Sequence, residues 1–110
     1  MWSGGYMKNK NYKIIKLERN RTSILTDDLD TCYLCGRRKE HLHEIYFGNN
    51  RVNSMKYGCV VPLCHNCHNR VHNDSQVDKK LKKICQLEFM RHYNCDEEEF
   101  IKIFHKNYTT

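Results

Sequence analysis

Two short segments of the chain have the hydrophobic pattern of strands. In residues 42–47, alternate side chains fall on opposite faces, which predicts one strand. Residues 59–61 are a second short apolar run, which we expect to end at Pro62 and to pair with the first strand. The turn signal at residues 48–50, Gly-Asn-Asn, favours a ββ-hairpin between them.

The last third of the chain has helical periodicity instead. A helix is predicted over about residues 76–92, and Ser75 and Asp78 at its start are spaced as a capping box. Its predicted core face consists of Val77, Leu81, Ile84, Cys85 and Phe89. Asp96, with Glu99 three residues on, is predicted to cap a last helix. That helix repeats apolar residues at Phe100, Ile103 and Phe104.

The remaining segments are shorter or more polar. A short helix is predicted to start near Cys67 and to carry His68 and His72. Residues 22–29 predict a short helix or turn that packs onto the core through Ile24, Leu25 and Leu29. Residues 1–12, which contain two adjacent glycines, are expected to be disordered.

Positive charge is concentrated before the first cysteine. Within residues 1–21, six basic residues accompany the single acid Glu18: Lys8, Lys10, Lys13, Lys16, Arg19 and Arg21. With a net charge of +6, this indicates an acidic partner, and DNA is the commonest. We therefore predict a basic arm over residues 1–21 and one domain with a C-terminal helical extension over residues 22–110. The predicted DNA contacts are Lys13, Lys16, Arg19 and Arg21, and the alternative is a solvated, poorly ordered tail.

The cysteines favour a metal over disulfides. Their number, seven, is odd, so they cannot all pair with one another. No apolar signal segment opens the chain, and four of the cysteines form two Cys-x-x-Cys pairs. We predict that Cys32, Cys35, Cys64 and Cys67 hold one structural Zn²⁺ in the reducing environment of the cytoplasm. The other three, Cys59, Cys85 and Cys95, are expected to be free thiols. No apolar run is long enough to span a membrane.

Three histidines are predicted to form a second, open metal site. His68 and His72 lie four residues apart, which places both imidazoles on one helix face. His43 on the facing strand is the expected third ligand, and His41 is an outside candidate only. Water and a phosphate oxygen would complete the coordination of a divalent metal such as Mg²⁺, Mn²⁺ or Ni²⁺. The alternative is that these histidines cap or pack the cysteine site.

These segments together resemble the HNH endonuclease superfamily, in its subgroup with a four-cysteine zinc site. The resemblance covers residues 32–72 and rests on Cys32-x-x-Cys35-Gly36, Leu42-His43-Glu44-Ile45 and Val61-Pro62-Leu63-Cys64-x-x-Cys67-His68-x-x-x-His72. Residues 81–108 look like the tail of small HNH-type proteins of phages and prophages. The resemblance implies an α+β protein with a small zinc-stabilised ββα-metal (treble-clef-like) fold and C-terminal helices. It also implies divalent-metal DNA cleavage in a bacterial host cell.

The chain departs from the family pattern at two positions. The first family motif usually has a metal ligand followed by a histidine base, and here His43 and Glu44 occupy those places. A shift of one residue would make His43 the base, and strand alternation favours this because it turns Glu44 away from His43. The usual middle asparagine is replaced by Cys59, for which Asn50 or Asn53 could substitute.

The expected function is therefore that of a cytoplasmic, phage-derived HNH endonuclease. Its expected catalytic residues are His43, Glu44 and His68, and its expected partners are DNA and phage packaging or recombination proteins. One alternative is a zinc-binding DNA- or protein-binding module that has lost the base. Another is a structural zinc adaptor in a phage assembly or recombination complex.

Overall fold

The computed structural model of the protein describes residues 12–110, so most of the segment predicted to be disordered lies outside it. The described part is an α+β structure of five α-helices and one two-stranded sheet. Its elements in chain order are α1 (Tyr12–Arg19), β1 (His41–Glu44), a 3₁₀ turn (Gly48–Asn50), α2 (Arg51–Lys56), β2 (Val60–Leu63), α3 (His65–Asn73), α4 (Ser75–His92) and α5 (Glu97–Phe104).

Strands β1 and β2 pair antiparallel, with His43 opposite Val61. Every residue of β2 is buried, and Pro62 lies inside this strand opposite Leu42, so the prediction that Pro62 ends the strand is wrong. The carbonyl of Pro62 accepts a hydrogen bond from Tyr33 N–H, on the side of β2 away from β1. A proline is tolerated there because the ladder to β1 does not need its missing N–H.

The connection between the strands is longer than a hairpin turn. After Gly48, which has a positive φ of 70°, the chain forms the 3₁₀ turn and then α2. Ser54 of α2 is fully buried, and its hydroxyl bonds both the N–H and the carbonyl of Tyr46. These two bonds hold α2 against the segment that continues β1.

Residues 22–29, which precede the first Cys-x-x-Cys pair, form bends rather than a helix. Ile24 N–H donates to the carbonyl of Gly58 at 2.9 Å, which ties this segment to the start of β2. Ile24 and Leu25 are partly buried and pack on the core as predicted, and Leu29 is also partly buried.

Helix α4 contributes three apolar side chains to the core, with two differences from its predicted face. Leu81, Cys85 and Phe89 are buried, but Ile84 is 38% exposed. Gln86 is fully buried instead. Its amide donates to Asn107 and accepts from Tyr108 N–H, so its polar atoms are satisfied by the C-terminal segment.

The helix caps agree with the prediction at one position and differ at another. Asp96 caps α5 by accepting from Glu99 N–H at 3.0 Å, as predicted. The cap of α4 is Asp74 rather than Ser75, and its carboxylate accepts from the N–H groups of Gln76 and Val77. A carboxylate one residue earlier therefore takes the capping role that the predicted capping box assigned to Ser75 and Asp78.

Candidate metal centres

Two tight turns present the cysteines. In the first, Gly36 has a φ of 81°, and its N–H donates to the carbonyl of Cys32 at 2.9 Å. An L side chain rarely adopts this conformation, which explains the glycine after Cys35. In the second, Cys64 caps α3, and its sulfur accepts from Cys67 N–H at 3.5 Å. Each Cys-x-x-Cys pair is thus shaped by its own backbone hydrogen bonds.

The four predicted zinc ligands converge and form the cysteine cluster: Cys32, Cys35, Cys64 and Cys67. Their sulfurs all lie within 4.8 Å of one another, and those of Cys35 and Cys64 are 3.6 Å apart. Four sulfurs at about 2.3 Å from a tetrahedral Zn²⁺ would be roughly 3.8 Å apart. Three of the cysteines are buried, and Cys35 is exposed. The cysteine cluster could therefore hold a metal ion.

Even without a metal, the thiols of the cysteine cluster differ in their pKa values. Burial opposes ionisation of Cys32, but hydrogen bonds from backbone N–H groups, those of Cys64 and Cys35 foremost, outweigh it and lower its pKa to about 6. Burial, followed by hydrogen bonds with neighbouring thiols, raises the pKa of Cys67 to about 12. One thiolate is thus favoured near neutral pH, and binding of a cation would release protons from the other thiols.

Three histidines form a second cluster beside the first, the histidine cluster: His43, His68 and His72. Strand β1 supplies His43, and α3 supplies the other two. One nitrogen of each ring lies within 4.8 Å of the others, and the Nε2 atoms of His68 and His72 are 3.2 Å apart. Two nitrogens at 2.0–2.1 Å from a tetrahedral Zn²⁺ would be about 3.3 Å apart, so this spacing suits a metal.

His43 is the buried member of the histidine cluster, at 3% exposure, and its Nε2 has no hydrogen-bond partner. Burial, followed by the nearby His68, His72 and Lys82, lowers the pKa of His43 to about 3. Burial also lowers the pKa of His68. Both rings are therefore neutral at physiological pH, which is the form that binds metals. An unpartnered buried nitrogen costs free energy that a bound cation would relieve, so these residues fit a divalent metal.

Glu44 is not part of the histidine cluster. Its Oε1 accepts from Arg51 Nε at 2.8 Å, and its Oε2 forms an ion pair with Arg21 Nε at 3.0 Å. Arg51 also bonds the carboxylate of Glu18, and this bond foremost raises the pKa of Arg51. The expectation that Glu44 turns away from His43 agrees with these contacts. They give no support to Glu44 as the catalytic base.

The two candidate substitutes for the middle asparagine have other roles. The side-chain amides of Asn50 and Asn53 donate to the carbonyls of Phe104 and Ile103, so they bind the end of α5. Cys59 is fully buried, and its hydrogen bond with the Cys85 thiol, followed by burial, raises its pKa. In place of a polar residue that orients a base, this position therefore holds a core thiol. Cys95 is partly exposed. Cys59, Cys85 and Cys95 are all free thiols.

Two further histidines adjoin the histidine cluster, and the sequence pattern pointed only to His41. The His41 ring stacks on that of His68 with centroids 4.5 Å apart, and His41 Nε2 lies 3.3 Å from Nδ1 of His65. His41 precedes His43 by two residues and so shares its face of β1. That alternation was a usable signal for His41. The position of His65 depends on how α3 packs on β1.

The predicted DNA-binding residues divide into two groups. Lys13, Lys16 and Arg19 are all exposed on α1. Arg21 is half-buried and forms the ion pair with Glu44, so its guanidinium is less available to bind a DNA phosphate. Helix α1 itself packs beside α2, which makes residues 12–19 a part of the folded structure rather than a free arm.

No match for this chain was found among known protein families, curated proteins or solved structures. Among residues 12–110, no helix combines the length and apolar character needed to cross a bilayer.

Proposed function

We propose that this protein is a metal-dependent DNA endonuclease with an HNH-type, ββα-metal site, of phage or prophage origin. The observation that carries the proposal is the convergence of His43, His68 and His72 beside a separate set of four cysteines. One cluster has enough donors to close a tetrahedron around Zn²⁺, and the other does not. An open site next to a closed one suits an enzyme better than a purely structural domain.

In the proposed enzyme, the histidine cluster would hold a divalent cation such as Mg²⁺, Mn²⁺ or Ni²⁺ through neutral ring nitrogens. When bound, that cation would neutralise charge on the phosphate and stabilise the departing oxyanion. His43 is held rigidly by burial, whereas His72 is exposed. The exposed side of the cluster is thus where a phosphodiester could approach. Glu44 would instead stabilise the structure by joining β1 to Arg51 and Arg21.

Positive charge near the site supports DNA as the substrate. Arg37 and Arg38 line an open cavity of about 430 Å³ together with His65, which bonds the His41 ring beside the histidine cluster. The three basic residues of α1 add to the net charge of +6. Cations of this kind bind phosphates without regard to sequence and so contribute to affinity.

The proposal is tested by nicking of a supercoiled plasmid with added Mg²⁺, Mn²⁺ or Ni²⁺. Wild-type protein should convert the plasmid to nicked or linear forms, and His43→Ala should not, while retaining its zinc and its DNA binding. His92→Ala, an exposed histidine on α4 away from the clusters, is the matched control and should cut normally. Full activity of His43→Ala would exclude this site as the nuclease centre.

A second candidate function is a zinc-binding DNA- or protein-binding module that retains the fold without catalysis. The engagement of Glu44 by two arginines and the core position of Cys59 favour it. This candidate predicts DNA binding by the zinc-loaded protein but no cleavage with any of the three cations. The plasmid assay, combined with a gel-shift measurement, therefore distinguishes the two functions.

A further inference from the structure

Phe47 is a large apolar side chain at the edge of the histidine cluster. It remains 42% exposed, although Ile45 and Tyr46 just before it are fully buried. Single exposed apolar residues are common, so exposure alone indicates no function. Its position is more informative, because its ring centroid lies 5.3 Å from that of His72 and 5.9 Å from that of His43.

Lys82 fixes the Phe47 ring from one side. Its ammonium lies 4.2 Å from the centroid of that ring, within the range of a cation–π interaction. Lys82 is itself held by an ion pair with Asp78 at 2.9 Å, and its side chain is only 14% exposed. The ring is therefore held in place next to the candidate metal ligands, with a cation beside it and part of its surface open to solvent.

A fixed, partly exposed aromatic ring has the chemistry of a nucleotide-binding platform. Bases stack on exposed aromatic side chains, whatever the identity of the base. In a paired duplex, each base is already stacked between its neighbours, so its face is not available to a protein ring. Only a nucleotide that has left the stack can use such a platform.

We propose that Phe47 stacks an unpaired base next to the scissile phosphate on the solvent-exposed part of its ring, with Lys82 holding that ring in place. The favoured substrate class is then DNA with an unpaired nucleotide at the point of cleavage. This inference rests on the proposed nuclease function. It goes beyond it because it specifies the structure of the substrate.

The test compares two labelled DNAs of one sequence, one fully paired and one with unpaired nucleotides at the cleavage point. Wild-type protein should cut the unpaired DNA about tenfold faster or more, in line with the stacking energy of one base. Phe47→Leu, which keeps an apolar cover, should lose this preference, whereas Phe47→Trp should keep it. Tyr93→Leu, an equally exposed aromatic that packs on Phe89, is the control and should behave as wild type.

A binding measurement separates this inference from the nuclease proposal. Without added catalytic metal, 2-aminopurine at the unpaired position should be quenched by wild-type and Phe47→Trp protein but not by Phe47→Leu. Quenching without cleavage of any DNA would end the nuclease proposal and leave the stacking intact. Equal cutting of both DNAs by the wild type would overturn the stacking alone. Loss of Ni²⁺ binding in both Phe47 variants would also overturn it, because Phe47 would then be a cover for His43.

Discussion

The cysteine cluster and the histidine cluster share helix α3 but differ in donor number and exposure. Adjacent residues of α3, Cys67 and His68, belong to different clusters. The cysteine cluster has four sulfurs, three of them from buried residues. The histidine cluster offers one ring nitrogen from each of its three residues, and their exposure increases from the buried His43 to the exposed His72.

This difference indicates how one short helix could contribute both to the proposed structural zinc site and to the proposed catalytic site. Four thiolates complete a tetrahedral coordination sphere and leave no position for a substrate. Three imidazoles leave a position open. Because the clusters are joined through the backbone of α3, a metal in the cysteine cluster would also fix the geometry of the histidine cluster. The clusters should therefore respond differently to mutation, and the following predictions test this.

The largest effect is expected from Cys64→Ser. Structural zinc contributes apparent binding free energies of about 10–16 kcal/mol, which matches or exceeds the net stability of a typical domain, about 5–15 kcal/mol. The variant should lose its zinc, measured by elemental analysis, and its cooperative unfolding transition, measured by circular dichroism. Cys95→Ser, outside the cluster, is the control and should keep both. A folded Cys64→Ser protein that retains one tightly bound zinc would contradict the structural role of this cluster.

The next effect concerns His72→Ala, which removes an exposed ligand without disturbing the core. Affinity of the histidine cluster for Ni²⁺ should fall by at least about 100-fold, by analogy with the 10–100-fold losses caused by mutating even the groups that support metal ligands. Cleavage should fall with it, while zinc content and thermal stability stay close to wild type. Calorimetric titration of the zinc-loaded protein measures the affinity, with His92→Ala as the control. A simultaneous loss of zinc would show that the clusters are not independent.

A pH titration probes the buried end of the histidine cluster. The pKa of His43 is about 3 in the folded protein and near 6.5 in the unfolded chain, so only the unfolded chain takes up this proton between those values. The stability associated with neutral His43 is present above pH 6.5 and is lost as the pH falls toward 3, by up to about 1.4 kcal/mol per pH unit. Denaturant unfolding at several pH values measures the slope. His43→Asn should flatten it, and an unchanged slope would contradict the burial of a neutral His43.

Glu44→Gln tests whether Glu44 acts in catalysis or only stabilises the folded structure. Loss of its charge beside Arg51 and Arg21 should cost about 1–3 kcal/mol, since this ion-pair group is only partly exposed. Cleavage below the unfolding temperature should change by less than about tenfold. Denaturant unfolding and the plasmid assay provide the two readouts. Unchanged stability with abolished cleavage would restore Glu44 as the base.

The smallest effect is expected outside both clusters, on α1. Replacing Lys13, Lys16 and Arg19 by Gln should weaken binding to all DNA sequences and flatten its salt dependence, by up to about 0.9 slope unit for each phosphate that is no longer neutralised. Binding measured over a range of salt concentrations, with Lys102→Gln on α5 as the control, tests this. Weaker binding to one sequence but not to others would contradict a purely electrostatic role.

Features that depend on near neighbours were predictable from the sequence. The Cys-x-x-Cys pairs and the i, i+4 histidines are set by the geometry of a turn and a helix, and both lie where predicted. Phe100 and Phe104 on α5 followed from helical periodicity in the same way. In each case the relevant atoms are within a few residues of one another, so local sequence carries the information.

Features that depend on packing between distant segments were not predictable. Pro62 could remain in β2 only because its side of the strand faces Tyr33 rather than β1. Gln86 could be buried only because Asn107 and Tyr108 return to bond it. A sequence pattern indicates which side chains are apolar. It does not indicate which distant groups will form hydrogen bonds with a polar residue such as Gln86 and so allow it to be buried.

The sequence by itself determined the two Cys-x-x-Cys pairs and the His68–His72 pair, since their spacing within turns and helices follows from backbone geometry. Only the tertiary structure decided that His43 joins the histidine pair, that Glu44 is engaged by Arg51 and Arg21, and that Phe47 lies beside His72. These outcomes depend on how α2, α3 and α4 pack around β1. Such packing is fixed by the sum of many contacts between residues far apart in the chain, which no local pattern specifies.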